Sequence, residues 1–265
     1  MTIKTFDDLV GYYRTTPQFL SLRLPTQKSY DYCIDRAVRT FFSPKVTFGR
    51  TNLGKIGVSE CKIAYQEWLK SGIRTANLTS TVISVLFNVA VELELMTSNP
   101  MRLVKKMQTK PRKVMWTYDQ VRQFLDTAYS EFEWRSIGLI VHMAYTFAQR
   151  IGDMRSLRWD NINFEERRLD LEQSKRRAEV HIPITIHMYR MLEQQRKDFG
   201  FQEYVAPHPY PRNGGYAIYT DVDISRMVNR VKEAANLPKE LTAMDMRRTA
   251  ITEMVEAGVD TTQIM

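Results

Sequence analysis

The sequence predicts an α-helical bundle over residues 1–104, followed by a mixed α+β domain over residues 114–265 with a small three-stranded antiparallel sheet. Apolar residues of the first part recur with the period of a helix, about 3.6 residues. The second part contains three short segments of alternating polarity separated by turn residues, which is typical of strands. Lys and Arg outnumber Asp and Glu by 18 to 8 in residues 1–113 but are outnumbered 20 to 22 in the remainder. The chain therefore changes character near residue 113.

The strongly basic first part indicates a polyanionic partner, and nucleic acid is the most common one. A basic domain without such a partner is the alternative. Cys33 and Cys61 lie in helical patterns with no Cys or His cluster nearby, which favours a reduced intracellular protein without structural zinc. Residues 1–9 lack the apolar core of a signal peptide, and no window reaches the ~18 apolar residues of a membrane span. We therefore expect a cytoplasmic protein.

Three helices are predicted in the first part. The first opens at Pro25, the second spans Val58–Leu69, and the third spans Leu78–Leu95. Thr79 or Ser80 is expected to cap the start of the third helix, because short hydroxyl side chains bind the free backbone N–H groups there. A plain helical bundle would show the same periodicity, but basic side chains beside these helices favour nucleic-acid binding.

A basic segment of residues 105–113 has no apolar period and contains Pro111, so it is predicted to be a linker. A solvated charge run is the common explanation for such a segment. Between a basic bundle and a second domain, it is also suited to follow a DNA backbone. The residues expected to bind DNA here are Lys105, Lys106, Lys110, Arg112 and Lys113.

The second part opens with a predicted capping box, formed by Thr117 and Gln120, for a helix that ends near Ala128. A long apolar helix is then predicted over Trp134–Phe147. The strand-like segments follow it at Asn161–Phe164, Leu169–Gln173 and Val180–Ile184. The remaining helices are predicted at Ile186–Lys197, Ile224–Ala235 and Asp245–Ala257, the last of them ended by Gly258.

A block of polar residues, Ala148 to Trp159, directly follows the apolar helix and contains Arg150 and Asp153. Residues three apart on a helical turn share a face, so the carboxylate of Asp153 can hold the guanidinium of Arg150 in one pose. An arginine held in this way is suited to bind a phosphate through two parallel hydrogen bonds.

Two further blocks carry cationic side chains. Lys175 is placed at a hairpin between two strands, where an ammonium group can approach a leaving oxygen as a proton donor. Basic hairpin tips are common, so this signal is weak alone. The last block, Leu241 to Thr252, opens a helix and contains Arg247.

In this order, the three blocks resemble those of the tyrosine recombinase, or phage integrase, family, and the resemblance covers nearly the whole chain. It implies a SAM-like core-binding domain before the linker and an integrase-type catalytic domain after it. Arg150 and Arg247 would stabilise the charge that develops on a phosphodiester under attack, and Lys175 would protonate the departing 5′ oxygen. In the family a tyrosine is the nucleophile and becomes linked to the 3′ phosphate, without metal, nucleotide or other cofactor.

The sequence departs from the family at two points. The family's His, three residues before the second arginine, is Met244 here, and a thioether cannot transfer protons. Arg248 stands where a His often follows and could supply positive charge instead. All thirteen tyrosines lie upstream of Arg247, so none occupies the nucleophile's position. Residues 261–265 match the opening of the next helix of the family, so we expect a C-terminally truncated chain that is inactive alone.

The favoured hypothesis is a site-specific recombinase of a phage or other mobile element, acting in a bacterial host's cytoplasm. Its partner would be duplex DNA, and the resemblance implies self-association on DNA as a tetramer, with no membrane or nucleotide partner. A second hypothesis is a truncated DNA-binding protein that cleaves nothing and regulates or blocks recombination. A third is a helical structural or interaction protein whose arginine blocks form accidental ion pairs.

Overall fold

In a computed structural model, the chain divides into two compact units, Met1–Pro111 and Arg112–Met265. The structure describes residues 2–43, 45–175, 177–211 and 214–260. The helix expected to open at residues 261–265 lies outside the described residues. The boundary between the units falls inside the basic segment 105–113, whose residues from 105 onward have no helix or strand.

The first unit is a helical bundle with one small hairpin. Its helices and strands are α1 (Phe6–Thr15), α2 (Pro17–Leu20), α3 (Leu24–Arg39), β1 (Phe41–Ser43), β2 (Val46–Thr47), α4 (Val58–Leu69) and α5 (Ile73–Glu92). The core is aromatic: the ring of Phe48 lies 5.0 Å from that of Phe6 and 6.3 Å from that of Trp68. Edge-to-face ring pairs of this kind add to the energy of burial.

Two expectations for the first unit are wrong in detail. The third predicted helix starts at Ile73 rather than Leu78, because Gly72 adopts a positive φ of 99° that ends the preceding turn. Thr79 and Ser80 consequently lie inside α5, fully buried, and cap nothing. The hairpin of β1 and β2 was not predicted, since its strands are too short to show alternation.

The second unit combines helices with a three-stranded sheet. Its elements are α6 (Tyr118–Ser130), α7 (Phe132–Thr146), α8 (Ile151–Arg155), β3 (Ile162–Asn163), β4 (Arg168–Glu172), β5 (Glu179–Pro183), α9 (Ile186–Phe199), α10 (Asp221–Ala234) and α11 (Met246–Glu256). The sheet is antiparallel in the order β3-β4-β5, with Leu169 opposite Ile182. This confirms the predicted fold class of a helical bundle and a mixed domain with a small antiparallel sheet.

Helix α7 is the centre of the second unit. Its residues from Ser136 to Val141 are all buried, as its apolar sequence indicates, because helices α6, α10 and α11 pack around it. Gly138 permits the close approach of α6, since a Cβ at this position would lie 2.9 Å from the Cβ of Ala128. The C-terminal end of α7 leads directly into the Arg150 turn.

Among the described residues, no helix combines the length and apolar character that a membrane crossing requires.

Candidate active site

The first predicted site residue, Arg150, lies at the start of α8. Helix α7 ends at Thr146, and the backbone turns through Ala148, which has a positive φ of 49°. Arg150 then takes the N-cap position of α8, and its carbonyl accepts hydrogen bonds from the backbone of Asp153 and Met154. Its guanidinium donates from Nη1 to Oε1 of Gln173 at 3.4 Å and lies 3.8 Å from the carboxylate of Asp153. The side chain of Arg150 is 28% exposed, so it is partly accessible to solvent.

Asp153 contacts both the arginine turn and the lysine hairpin. Its side chain is only 1% exposed. Oδ2 is the atom nearest Arg150, and Oδ1 accepts a hydrogen bond from the backbone N–H of Ser174 at 3.3 Å. Because Ser174 directly precedes Lys175, one buried carboxylate links two of the predicted site residues.

Two buried glutamines join the same segments. Gln173 donates from Nε2 to Oε1 of Gln149 at 2.8 Å, and Gln149 donates to the carbonyl of Phe147 at 3.2 Å. Neither glutamine is among the predicted site residues. Each stands one or two positions from a predicted site residue, and this proximity was the available signal.

Lys175 lies at the tip of the hairpin between β4 and β5. The turn is closed by backbone hydrogen bonds from Arg177 to Gln173 and from Gln173 to Ala178, both 2.8 Å long, and Arg177 has a positive φ of 54°. Lys175 is exposed.

Arg247 lies in the first turn of α11 and is half-buried. The helix is fixed against α7, since Met246 is fully buried and the hydroxyl of Tyr145 donates to the carboxylate of Glu253. The backbone N–H of Trp116 also donates to Oγ1 of Thr249 at 3.1 Å. Arg247 and Arg150 are thus both carried by segments that pack against α7.

A pocket of about 210 Å³ is lined by residues from the two segments that carry the arginines, although neither arginine itself lines it. Ile151 follows Arg150, and Met244 precedes Arg247 by three positions; both contribute to its wall, together with residues of α10. Met244, in the position of the family's His, is 80% exposed at this pocket. Ile151 and Met244, from the segments that carry Arg150 and Arg247, therefore line one concave surface.

The residue at the N-cap position of α11 is Asp245, whose buried carboxylate accepts three hydrogen bonds from Arg112. Arg112 Nε lies 3.1 Å from Oδ1 and Nη2 lies 3.0 Å from Oδ2. The backbone and hydroxyl of Thr242 donate to the same carboxylate. Burial alone would raise the pKa of Asp245, but these hydrogen bonds outweigh it and hold the pKa below its usual value. Asp245 therefore remains charged and fixes the segment that carries Arg247.

Arg112 and Arg248 both form hydrogen bonds within the second unit. Arg112, predicted to bind DNA, is engaged by Asp245. Arg248, expected to add positive charge to the site, donates from Nη1 to the backbone carbonyl of Arg112 at 2.5 Å. Both guanidinium groups therefore connect the end of the linker to the start of α11.

The lysines of the basic segment differ in their contacts. Lys106 donates to Oγ1 of Thr81 at 2.8 Å, within the first unit. Lys105, Lys110 and Lys113 are exposed and form no ion pair within the described part of the chain. These three lysines are therefore accessible to solvent.

Over the described ranges, no cluster of three or more His, Cys, Asp or Glu side chains is arranged to hold a metal ion.

The sequence is similar to those of known integrases. Residues 115–265, more than half of the chain, match the model of the phage integrase family. The integrase of Enterobacteria phage 434 is 27% identical over 114 residues, which cover 43% of this chain and 31% of that protein. A putative integrase/recombinase of Haemophilus influenzae is 23% identical over 159 residues, covering 54% of this chain and 43% of that protein. The matched stretches thus span less than half of either relative.

Solved structures show the same fold. A lambda integrase tetramer bound to a Holliday junction has a TM-score of 0.80 at 18% identity, covering 99% of this chain and 76% of that one. The Tn1549 transposon integrase, residues 82–397, in complex with circular intermediate DNA has a TM-score of 0.77 at 18% identity, covering 99% and 90%. The integrase-type fold that the three blocks implied is therefore confirmed.

Proposed function

The chain belongs to the phage integrase family, and we propose that it is a site-specific DNA recombinase of a phage or other mobile element. The observation that carries this proposal is the position of Asp153. Its buried carboxylate lies 3.8 Å from the guanidinium of Arg150 and accepts a hydrogen bond from Ser174, the residue before Lys175. This carboxylate supports the proposal because it joins the turn that carries Arg150 to the hairpin that carries Lys175.

In the proposed reaction, a tyrosine oxygen attacks a phosphodiester phosphorus, its hydroxyl proton passes to solvent, and the bond to the 5′ oxygen breaks. Negative charge grows on the non-bridging oxygens, and the guanidinium groups of Arg150 and Arg247 stabilise it more strongly than the ground state. Lys175 gives a proton to the departing 5′ oxygen. The phosphotyrosine link retains the energy of the broken bond, so the strand can be rejoined without ATP.

The nucleophile is not assigned to any tyrosine of residues 1–265, since the last of them, Tyr219, precedes Arg247 in sequence. Met244 is given no role in proton transfer. We assign protonation of the 5′ oxygen to Lys175 and limit the role of Met244 to lining the pocket beside Ile151.

Duplex DNA is the proposed partner of both units, with residues 1–104 as the core-binding domain, 105–113 as the linker and 114–265 as the catalytic domain. Exposed Lys105, Lys110 and Lys113 would follow the phosphate backbone. The lambda integrase structures include a dimer bound to a core site and a tetramer bound to a Holliday junction. By analogy, we propose that this protein also self-associates on DNA.

A second candidate function is a DNA-binding protein that cleaves nothing and regulates or blocks recombination. Met244 favours it, because an exposed thioether in the position of the family's His cannot act as an acid or base.

Two experiments in sequence separate these functions. A random duplex library is first selected on the 265-residue protein, and the selected sequence is then prepared with nicks at successive positions. The protein as expressed from its gene is incubated with these duplexes and analysed by denaturing electrophoresis. A covalent adduct that Arg150→Ala and Arg247→Ala abolish supports the recombinase, and salt-dependent binding without any adduct supports the regulator. Absence of salt-dependent duplex binding would reject both.

A further inference from the structure

Exposed aromatic rings form a surface on the second unit, at the N-terminal end of α7. Phe132, Phe201 and Tyr210 are 49%, 69% and 60% exposed. They pack on one another through buried Phe199, whose ring is stacked 6.2 Å from that of Phe132 and lies 6.5 Å from that of Phe201. Tyr210 completes the group, with its ring 6.0 Å from Phe132. We call these four residues the aromatic surface; exposed apolar groups of this kind commonly mark interaction sites.

A pocket of about 240 Å³ adjoins the aromatic surface and shares Tyr210 with it. Its walls include Glu133 of α7 and Arg226 and Arg230 of α10. The two arginines are four residues apart, so they share one face of the helix. Arg226 forms an ion pair with Asp223, whereas Arg230 has no ion-pair partner among the residues that the structure describes.

We propose that the aromatic surface and this pocket are a docking site for a peptide segment of a partner protein, with an aromatic or large apolar residue next to Asp or Glu. The apolar residue would pack on the exposed rings. The adjacent carboxylate would be bound by Arg230, with Arg226 beside it. Aromatic residues and arginine are enriched in protein interfaces and supply much of their binding energy.

The charges around the pocket favour a polypeptide over a nucleic acid. Glu133 lines the pocket, and Asp223 lies beside it in its ion pair with Arg226. These carboxylates would repel a continuous phosphate backbone. A peptide presents both a carboxylate for the guanidinium groups and backbone N–H donors for Glu133, so it complements both signs of charge.

The aromatic surface and the Arg150 turn lie at opposite ends of α7, whereas the pocket beside the surface shares helix α10 with the pocket beside Met244. Phe132 is the first residue of α7, and Arg150 follows its last turn; a helix of 15 residues is about 22 Å long. The inference does not rest on the proposed function, since it uses none of the residues assigned to DNA cleavage.

The test uses a displayed library of random peptides, selected on the intact 265-residue protein. We expect enrichment of sequences in which an aromatic or large apolar residue is next to Asp or Glu. The enriched peptide, made synthetically, should bind Arg230→Glu and Tyr210→Ser at least about tenfold more weakly than the unmodified protein. Arg190→Glu, which reverses an exposed arginine on α9, is the matched control and should bind normally.

A charge-reversed peptide gives the sharper result. Replacing its acid by Lys should abolish binding to the unmodified protein and restore binding to Arg230→Glu, which a general loss of folding could not do. The proposal is overturned if no acidic-aromatic sequence is enriched, if binding is insensitive to Arg230 and Tyr210, or if the same variants abolish binding of a single-stranded oligonucleotide instead. Concentration-dependent self-association that Tyr210→Ser abolishes would likewise assign the surface to a second copy of the chain and overturn it.

Discussion

Arg112 and Asp245 are separated by 133 positions in the sequence, yet they form a two-pronged ion pair, with Nε 3.1 Å from Oδ1 and Nη2 3.0 Å from Oδ2. Asp245 also occupies the N-cap position of α11 and lies two residues before Arg247. The end of the basic linker is therefore bound directly to the segment that presents the second arginine of the proposed site.

Asp245→Asn should destabilise the second unit by about 1–3 kcal/mol, because Arg112 and Thr242 lose a charged, buried acceptor. Urea unfolding of the variant and of Asp126→Asn, an exposed acid on α6, gives the comparison. A carboxyl whose pKa is lowered by folding stabilises the fold above its usual value of 3.8 and loses this contribution as the pH falls further. The difference in free energy of unfolding between wild type and Asp245→Asn should thus be largest near neutral pH and should disappear in acid. A difference that is independent of pH would contradict the account.

Asp153→Ala should loosen the lysine hairpin, because the backbone N–H of Ser174 loses its side-chain acceptor. Hydrogen exchange at the Ser174 amide should become faster, with a loss of stability of about 1–3 kcal/mol for the unfilled buried contact. Asp160→Asn, at an exposed position in the same domain, is the control and should leave the exchange rate unchanged. Unaltered protection of Ser174 in Asp153→Ala would show that the carboxylate does not hold the hairpin.

Some parts of this arrangement could be predicted from the sequence and others could not. The capping box of Thr117 and Gln120 and the three strands have local signals, and the structure has them within one or two residues of the predicted bounds. The contact between Arg112 and Asp245 has no local signal, since it depends on how the chain returns after 133 positions. The basic composition of the linker predicted that Arg112 binds DNA, whereas in the structure Arg112 forms an ion pair with the buried carboxylate of Asp245.

Neutralising Lys105, Lys110 and Lys113 together should weaken binding to any duplex and reduce its salt dependence. Each lysine that contacts a phosphate contributes about 0.9 to the slope of log affinity against log salt, so the slope should fall by up to about 3. The control replaces three exposed cations of the second unit: Arg190, Lys197 and Lys239. An equal reduction in both triple variants would mean that the linker has no special part in binding.

His142 should titrate far below an ordinary histidine. Burial, with the nearby His187 as a second cause, lowers the pKa of His142 to about 4. The usual pKa of a histidine is 6.5. As the pH falls from 6.5 towards the lower pKa of folded His142, the free energy of unfolding decreases, here by up to about 3 kcal/mol. Acid unfolding of His142→Gln should lack this loss. NMR titration of His142 in His187→Gln should show a small rise in pKa because burial remains; a value near 6.5 in the unmodified protein would contradict the account.

The central claim is that Arg150 and Arg247 bind a single phosphate, and side-chain NMR tests it most directly. Protein labelled with ¹⁵N at arginine is titrated with inorganic phosphate, with the two Nε–H signals assigned through Arg150→Lys and Arg247→Lys. The account predicts that both signals shift with one dissociation constant, and that either substitution weakens the response of the remaining arginine. Shifts with unrelated dissociation constants, or a response of one arginine that survives loss of the other, would contradict it.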